Sequence, residues 1–218
     1  MDWNQIAALA REAFREGVNA WIGNALIAGG VVNGPVLELR PGSLRSTLSL
    51  ETLLLQAMTR DQVNAVIARA LAKTLSAAWQ DWAAGFQLRA AAFPTLAAVP
   101  GPVAPPTMGI PVPLRQGSST GETSLRSAML SNRLVGALQR HTQSAPGNME
   151  KAVAELAQWV DVSFQDWKGL VALSSLAGQG TVPAYAPPYV PVGAVNQGTV
   201  TSGGAVFAGP RFGRIVTR

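Results

Sequence analysis

The sequence predicts a mainly α protein in which amphipathic helices alternate with long extended segments, and three observations carry that expectation. Apolar residues recur at three- and four-residue spacing through several long stretches. The 22 Gly and 15 Pro are not spread evenly but cluster between and after those stretches. A helix–helix–arm order then occurs twice along the 218 residues.

The first stripe, Ile6, Ala10, Ala13, Phe14, Val18, Trp21, Ile22 and Leu26, predicts a helix over 3–28, capped by Asp2 and stopped by Gly29-Gly30. Residues 31–43, VVNGPVLELRPGS, read as extended with a turn at Asn33-Gly34-Pro35. A shorter helix is expected over 50–58. Thr59 and Gln62 have capping-box spacing for the next one. Its stripe runs from Val63 through Leu71, Leu75, Ala78 and Trp82 to Phe86, and it should end before Pro94. Residues 94–121 hold seven prolines and read as an extended arm lying on another surface, since Leu and Val alternate with the prolines. Helical spacing resumes over 124–140, breaks at Ala145-Pro146-Gly147, and restarts with Asn148 as cap. Met149, Val153, Leu156, Val160, Phe164, Trp167 and Val171 mark a last helix ending near Gly178. Residues 179–218 predict no helix but a second arm, adding strands to a neighbour or lying along it.

Gln80-Asp81-Trp82 returns as Gln165-Asp166-Trp167, and the match is not isolated. Leu44-Arg45-Ser46 answers Leu125-Arg126-Ser127. VPGPVAPP, ending at Pro105-Pro106, answers VPAYAPP, ending at Pro187-Pro188. Gln116-Gly117-Ser118 answers Gln197-Gly198-Thr199. The order is kept and the offsets stay between 81 and 85 residues, which marks a duplicated unit. The chain therefore divides into an N-terminal helix and extended segment (1–43), a first unit with its arm (44–121) and a second unit with its arm (122–218). The first part has the look of a truncated third copy, since LRPGS at Leu39 to Ser43 resembles LRQGS at Leu114 to Ser118.

Composition bounds the function. Only 13% of residues are charged while 48% are hydrophobic, against a usual charged share of about 25%. Such a chain hides surface most simply against other subunits. The net charge of +5 is balanced up to residue 90, with 8 basic and 7 acidic residues, and its clearest excess is the tail with Arg211, Arg214 and Arg218. That allows a tail contact with phosphate, lipid headgroup or acidic protein but makes no basic groove. The absence of Cys excludes disulfides and thiolate metal sites. No signal-peptide order opens the chain, and the run from Trp21 to Leu37 is too short and Gly-rich for a membrane span, so an intracellular, soluble, assembly-prone protein is expected.

Catalytic signals are few. Asp81 and Asp166 read as one structural position used twice, each beside a core Trp. The alternative is a carboxylate pair brought together for acid–base work. His141, the single histidine, fits a dipole contact at a helix end better than a catalytic role. No Walker loop, dinucleotide fingerprint or zincin helix is present, and no cofactor or metal site is expected. The spacings Pro102/Pro105 and Pro188/Pro191 suit a packed arm or an aromatic-lined groove, with Tyr185 and Tyr189 as anchors.

WQDWAAGF, VPGPVAPP, APPYVPVG and the closing FAGPRFGRIV, on a charge-poor, duplicated, cysteine-free chain, resemble minor structural proteins of tailed-bacteriophage virions. The resemblance covers most of the chain in style. It implies a non-enzymatic component of neck, tail, baseplate or capsid decoration, located in the virion and made in the host cytoplasm. Its partners would be other virion proteins and itself, reached through helix faces and arms. Within the arms, Pro105, Pro106, Tyr185, Pro187, Pro188, Tyr189, Arg211, Phe212 and Arg214 are the candidate contacts. The other classes are a soluble enzyme or lytic effector without a motif, and a helical protein that binds membrane surfaces.

Overall fold

The computed structural model describes residues 2–93, 107–141, 146–181, 185–186, 190–191 and 196–213. Five α-helices and fourteen strands alternate along them, so the fold is α+β and not the mainly α fold expected. The reason is local. The strands span only two to seven residues, too short for a period of two to stand out among Pro and Gly.

Helix α1 (Trp3–Gly23) opens as expected, with the Asp2 carboxylate accepting the Gln5 N–H at 2.7 Å. It stops short of 28 because Ala25–Ile27 forms β1 instead. Strands β2 (Gly30–Asn33) and β3 (Val36–Leu39) meet across the expected turn, where Gly34 takes φ +56°. β4 (Leu44–Ser46) pairs back on β1. Helix α2 (Leu50–Arg60) is capped by Ser49. The capping box at Thr59 does not form: Thr59 lies inside α2, and Gln62 reverses the chain at φ +59°. Asn64 instead caps α3 (Ala65–Gly85), its side chain accepting the Val66 and Ile67 N–H groups. This helix ends before Pro94, at Gly85, because Phe86 enters β5 (Phe86–Ala91).

Beyond it lie β6 (Thr107–Met108), β7 (Val112–Pro113), a 3-10 turn (Leu114–Gln116), β8 (Ser118–Ser119) and a second 3-10 turn (Glu122–Leu125). Helices α4 (Ser127–Gln139) and α5 (Pro146–Leu170) follow. Helix α5 starts before Asn148, with Pro in its first turn where a missing N–H costs nothing. It ends before Gly178, since β9 (Ala172–Leu173) and β10 (Leu176–Thr181) take the segment. The last strands are β11 (Tyr185–Ala186), β12 (Val190–Pro191), β13 (Asn196–Ser202) and β14 (Phe207–Ala208).

Seven strands form one antiparallel sheet in the order β6-β10-β13-β2-β3-β5-β8. Three antiparallel pairs stand side by side in it, each following a long helix: β2–β3 after α1, β5–β8 after α3, β10–β13 after α5. Residues 44–121 and 122–218 each run helix, helix, then one of these strand pairs, and the first 43 residues hold one helix and one pair. The described parts of the expected arms are accordingly not arms. Residues 107–121 and 196–213 pack on their own chain, burying Val112, Leu114, Val200, Val206 and Phe212. The Gly109 N–H donates to Leu176 O at 2.8 Å and the Ile110 N–H to Ala92 O at 2.7 Å, so this stretch ties the end of β5 to β10 across the sheet.

The helices close a ring: α1 packs on α2 and α5, α3 on α2 and α4, and α4 on α5. At its centre Trp79 meets the edges of Trp21 at 5.6 Å, Phe212 at 5.6 Å, Phe164 at 6.1 Å and Phe14 at 6.2 Å. Trp82 and Trp167, the duplicated tryptophans, meet each other at 5.8 Å. Such pairs add about 0.5–1.5 kcal/mol each beyond burial. The Nε1–H groups of Trp79, Trp82 and Trp167 are buried without an acceptor among the described residues. Each orphan donor costs about 1–3 kcal/mol, so aromatic packing outweighs polar satisfaction at this core. The sheet turns Val32, Leu37, Leu39, Leu88 and Val200 inward, while Glu38, Arg89 and Thr199 alternate outward.

Candidate functional site

The two copies of Gln-Asp-Trp put Trp to the same use and Asp to different ones. Asp81 Oδ2 accepts the Ser124 hydroxyl at 2.8 Å and Arg133 Nη1 at 2.8 Å, so it ties α3 to the opening of the second unit. The backbone there is close: a Cβ on Gly121 would lie 1.9 Å from Asp81 O. Asp166 is exposed on α5. Neither carboxylate accepts a bond from a group that the other touches. The geometry is that of a staple, not of an acid–base pair.

A groove lies beside that staple, between α3 and α4. Asp81, near the end of α3, faces Arg133 in the middle of α4, while Ala70, near the start of α3, shares the groove with His141, which follows α4, so the helices run antiparallel. The recess is about 520 Å³. Its floor is made by small side chains, Ala70 and Ala77 from α3 with Gly136 and Ala137 from α4. Lys73, Arg133, Arg140 and His141 stand around it, with Thr74 and Asn132. These positions share a face because 70, 73, 74, 77 and 132, 133, 136, 137, 140 each follow helical spacing. Only Arg133 has an acidic partner. Lys73, Arg140 and His141 form no ion pair among the described residues. Exposed Val66, one turn before Ala70, and exposed Met129, one turn before Arg133, bracket the groove at opposite ends. Lys73 and Arg140 over a small apolar floor suit carboxylate or phosphate groups carried on an apolar body.

A second recess, of about 390 Å³, lies on the outer face of the sheet. Glu38, Arg40, Arg89, Gln87, Gln116 and Ser118 line it, and Arg40 Nε donates to Glu38 at 3.2 Å. Its charges are mixed and partly paired, which leaves less for a ligand.

The candidate contacts read from sequence do not gather into one site. Phe212 is buried in the core, its N–H donating to Asn19 Oδ1 at 2.9 Å, and so serves this chain rather than a partner. Arg211 is exposed beside it. Tyr185 lies in β11, paired with Pro191 of β12. Pro105, Pro106, Pro187, Pro188, Tyr189 and Arg214 lie outside the described residues. His141 does follow α4, its N–H bonded to Leu138 O, and its ring lines the groove.

Sequence reasoning passed over Lys73, Arg133 and Arg140. Their signal was present as basic residues at helical spacing around Gly136-Ala137, but each helix alone carries only half of the site. No group of three or more His, Asp or Glu is arranged to hold a metal among the described residues, and none of their helices is long and apolar enough to cross a membrane. No protein-family model, curated protein or solved structure matches this chain.

Proposed function

We propose that this chain is a non-enzymatic assembly subunit of a phage-type virion, with neck, tail or baseplate as its place, bound to neighbouring subunits through helix faces. The α3–α4 groove carries the reading: unpaired Lys73 and Arg140 over an Ala/Gly floor, bracketed by exposed Val66 and Met129. Arg and Met are the residues enriched where protein partners bury surface, and a small-residue floor lets a partner backbone come close. The duplicated motif supports the same reading, because its tryptophans are spent on the core and Asp81 on a joint between units. The extended arms of the expectation drop out of the proposal where they are described, since they complete this chain's own sheet.

The test is genetic and compositional. Deleting the reading frame from its source genome should stop production of complete particles, with negative-stain images showing heads, tails or both unjoined. The chain should be found by mass spectrometry in purified wild-type particles at a fixed ratio to the other components. Complete, infective particles that lack the chain would end the proposal.

A further inference from the structure

We infer that the α3–α4 groove takes up the outer face of α5 from a second copy of this chain, giving head-to-tail self-association. The inference rests on the assembly reading above and names the partner of its groove. Helix α5 presents an exposed stripe of Glu155, Gln158, Val162, Asp166 and Leu170, each one turn from the next. Val162 and Leu170 are 54% and 55% exposed, although both are large and apolar. Glu155 and Asp166 have no ion-pair partner among the described residues; Lys151 stands one turn outside them. The groove is complementary in kind: it carries cations and the stripe acids, and its floor is Ala and Gly while the stripe offers Val162 and Leu170.

The chain already shows the contact it would repeat. Asp166 occupies in the second unit the position of Asp81 in the first, 85 residues earlier. Asp81 grips Arg133 at the start of the unit that follows it. Asp166 is exposed on α5, and among the described residues it has no such partner. An arginine from another copy, Arg140 with Lys73 beside it, would reproduce the bond between molecules. Where one copy's groove takes a stripe while its own stripe enters a third copy's groove, the contact is heterologous and propagates into a ring or a filament.

The experiment is sedimentation velocity on the full-length protein across a wide concentration range, at low and high salt. Two variants divide the interface. Gly136→Glu places an acid in the groove, where a new Cβ meets nothing within 4 Å, so the helix is not disturbed. Glu155→Gln with Asp166→Asn removes the charges of the stripe. The expected result is concentration-dependent, salt-weakened assembly of the wild type. Each variant alone should weaken it by roughly tenfold or more, as expected for charge pairs at an interface. Mixing the two variants should restore association, limited to pairs, since each keeps the half that the other lost. This rescue also shows that both variants are folded.

A wild type that stays monomeric at all concentrations overturns the inference, as does assembly that neither variant changes. Gly136→Glu abolishing the binding of a fluorescent single-stranded oligonucleotide, with assembly intact, would assign the groove to nucleic acid instead. A monomer that is nonetheless present in particles would end self-association while leaving the assembly reading standing.

Discussion

In the first copy of Gln-Asp-Trp, Asp81 holds Ser124 and Arg133 of the unit that follows, while in the second copy Asp166 faces solvent on α5. Trp82 and Trp167 do not differ in this way. Both are buried and touch each other in the aromatic centre of the helix ring. A duplicated motif therefore separates into a residue that every copy needs and a residue that needs a neighbour. The indole serves the core, which both units share. The carboxylate serves a joint where it meets Ser124 and Arg133, and stands exposed in the other copy.

The strongest way to break this comparison is to remove the shared part. Trp82→Ala and Trp167→Ala should each cost about 3–5 kcal/mol, as large-to-small changes at full burial do. Urea denaturation followed by circular dichroism measures both, and a near-neutral Trp167→Ala would show that the second copy stands outside the common core. Next in size is the joint itself. Gly121→Ala should cost about 1–3 kcal/mol by overpacking, because the obstacle at 1.9 Å is the backbone of Asp81 and cannot rotate away. Gly203→Ala, where nothing lies within 4 Å, serves as its control and should change little. Asp81→Asn then tests the staple. Its pair with Arg133 is half-exposed and screened, so the loss should be about 1 kcal/mol with the Ser124 bond included. Asp166→Asn should stay within about 0.5 kcal/mol in the monomer. Equal costs at the two positions would mean that the carboxylates have the same role after all.

What could be read ahead of the structure was whatever is encoded over a few neighbouring residues. Asp2 before a periodic stripe gave the start of α1, and Asn33-Gly34-Pro35 gave the β2–β3 turn. What could not be read depends on partners distant in the chain. Val200 and Gly178 are paired strand residues, but neither sits in a run long enough to show alternation against Pro and Gly. Phe212 reads from the sequence as a partner contact on an arm because the aromatics around it, Phe14, Trp79, Trp159 and Trp167, come from three separate helices. The groove was hidden for the same reason, since it needs α3 and α4 laid antiparallel before Lys73 and Arg140 face one space. Low charge points outward to partners in the sequence, yet the core also draws on residues beyond the helices, among them Val112, Leu173, Val200, Val206 and Phe212.

The smallest effect sharpens the distinction between joints and mere surface pairs. In α1, Glu12 accepts a bond from Arg15 Nε at 3.0 Å, an i,i+3 pair within one helix that joins nothing to anything else. That hydrogen bond holds the Glu12 carboxyl below its ordinary pKa, against a smaller opposing effect of desolvation. A carboxyl lowered in the folded state stabilises the fold above its unfolded pKa, and the contribution fades as pH falls through the lowered folded value. Glu12→Gln should therefore be least stable relative to the wild type at neutral pH, with the difference vanishing in acid below the Glu range. Both side chains are almost half-exposed, so salt screens the pair and the difference should stay under about 0.5 kcal/mol. Thermal melts of the two proteins at neutral and acidic pH, in low and high salt, decide it. If Glu12→Gln cost as much as Asp81→Asn, a bond within one helix would matter as much as a bond between units, and the special place given to Asp81 would be lost.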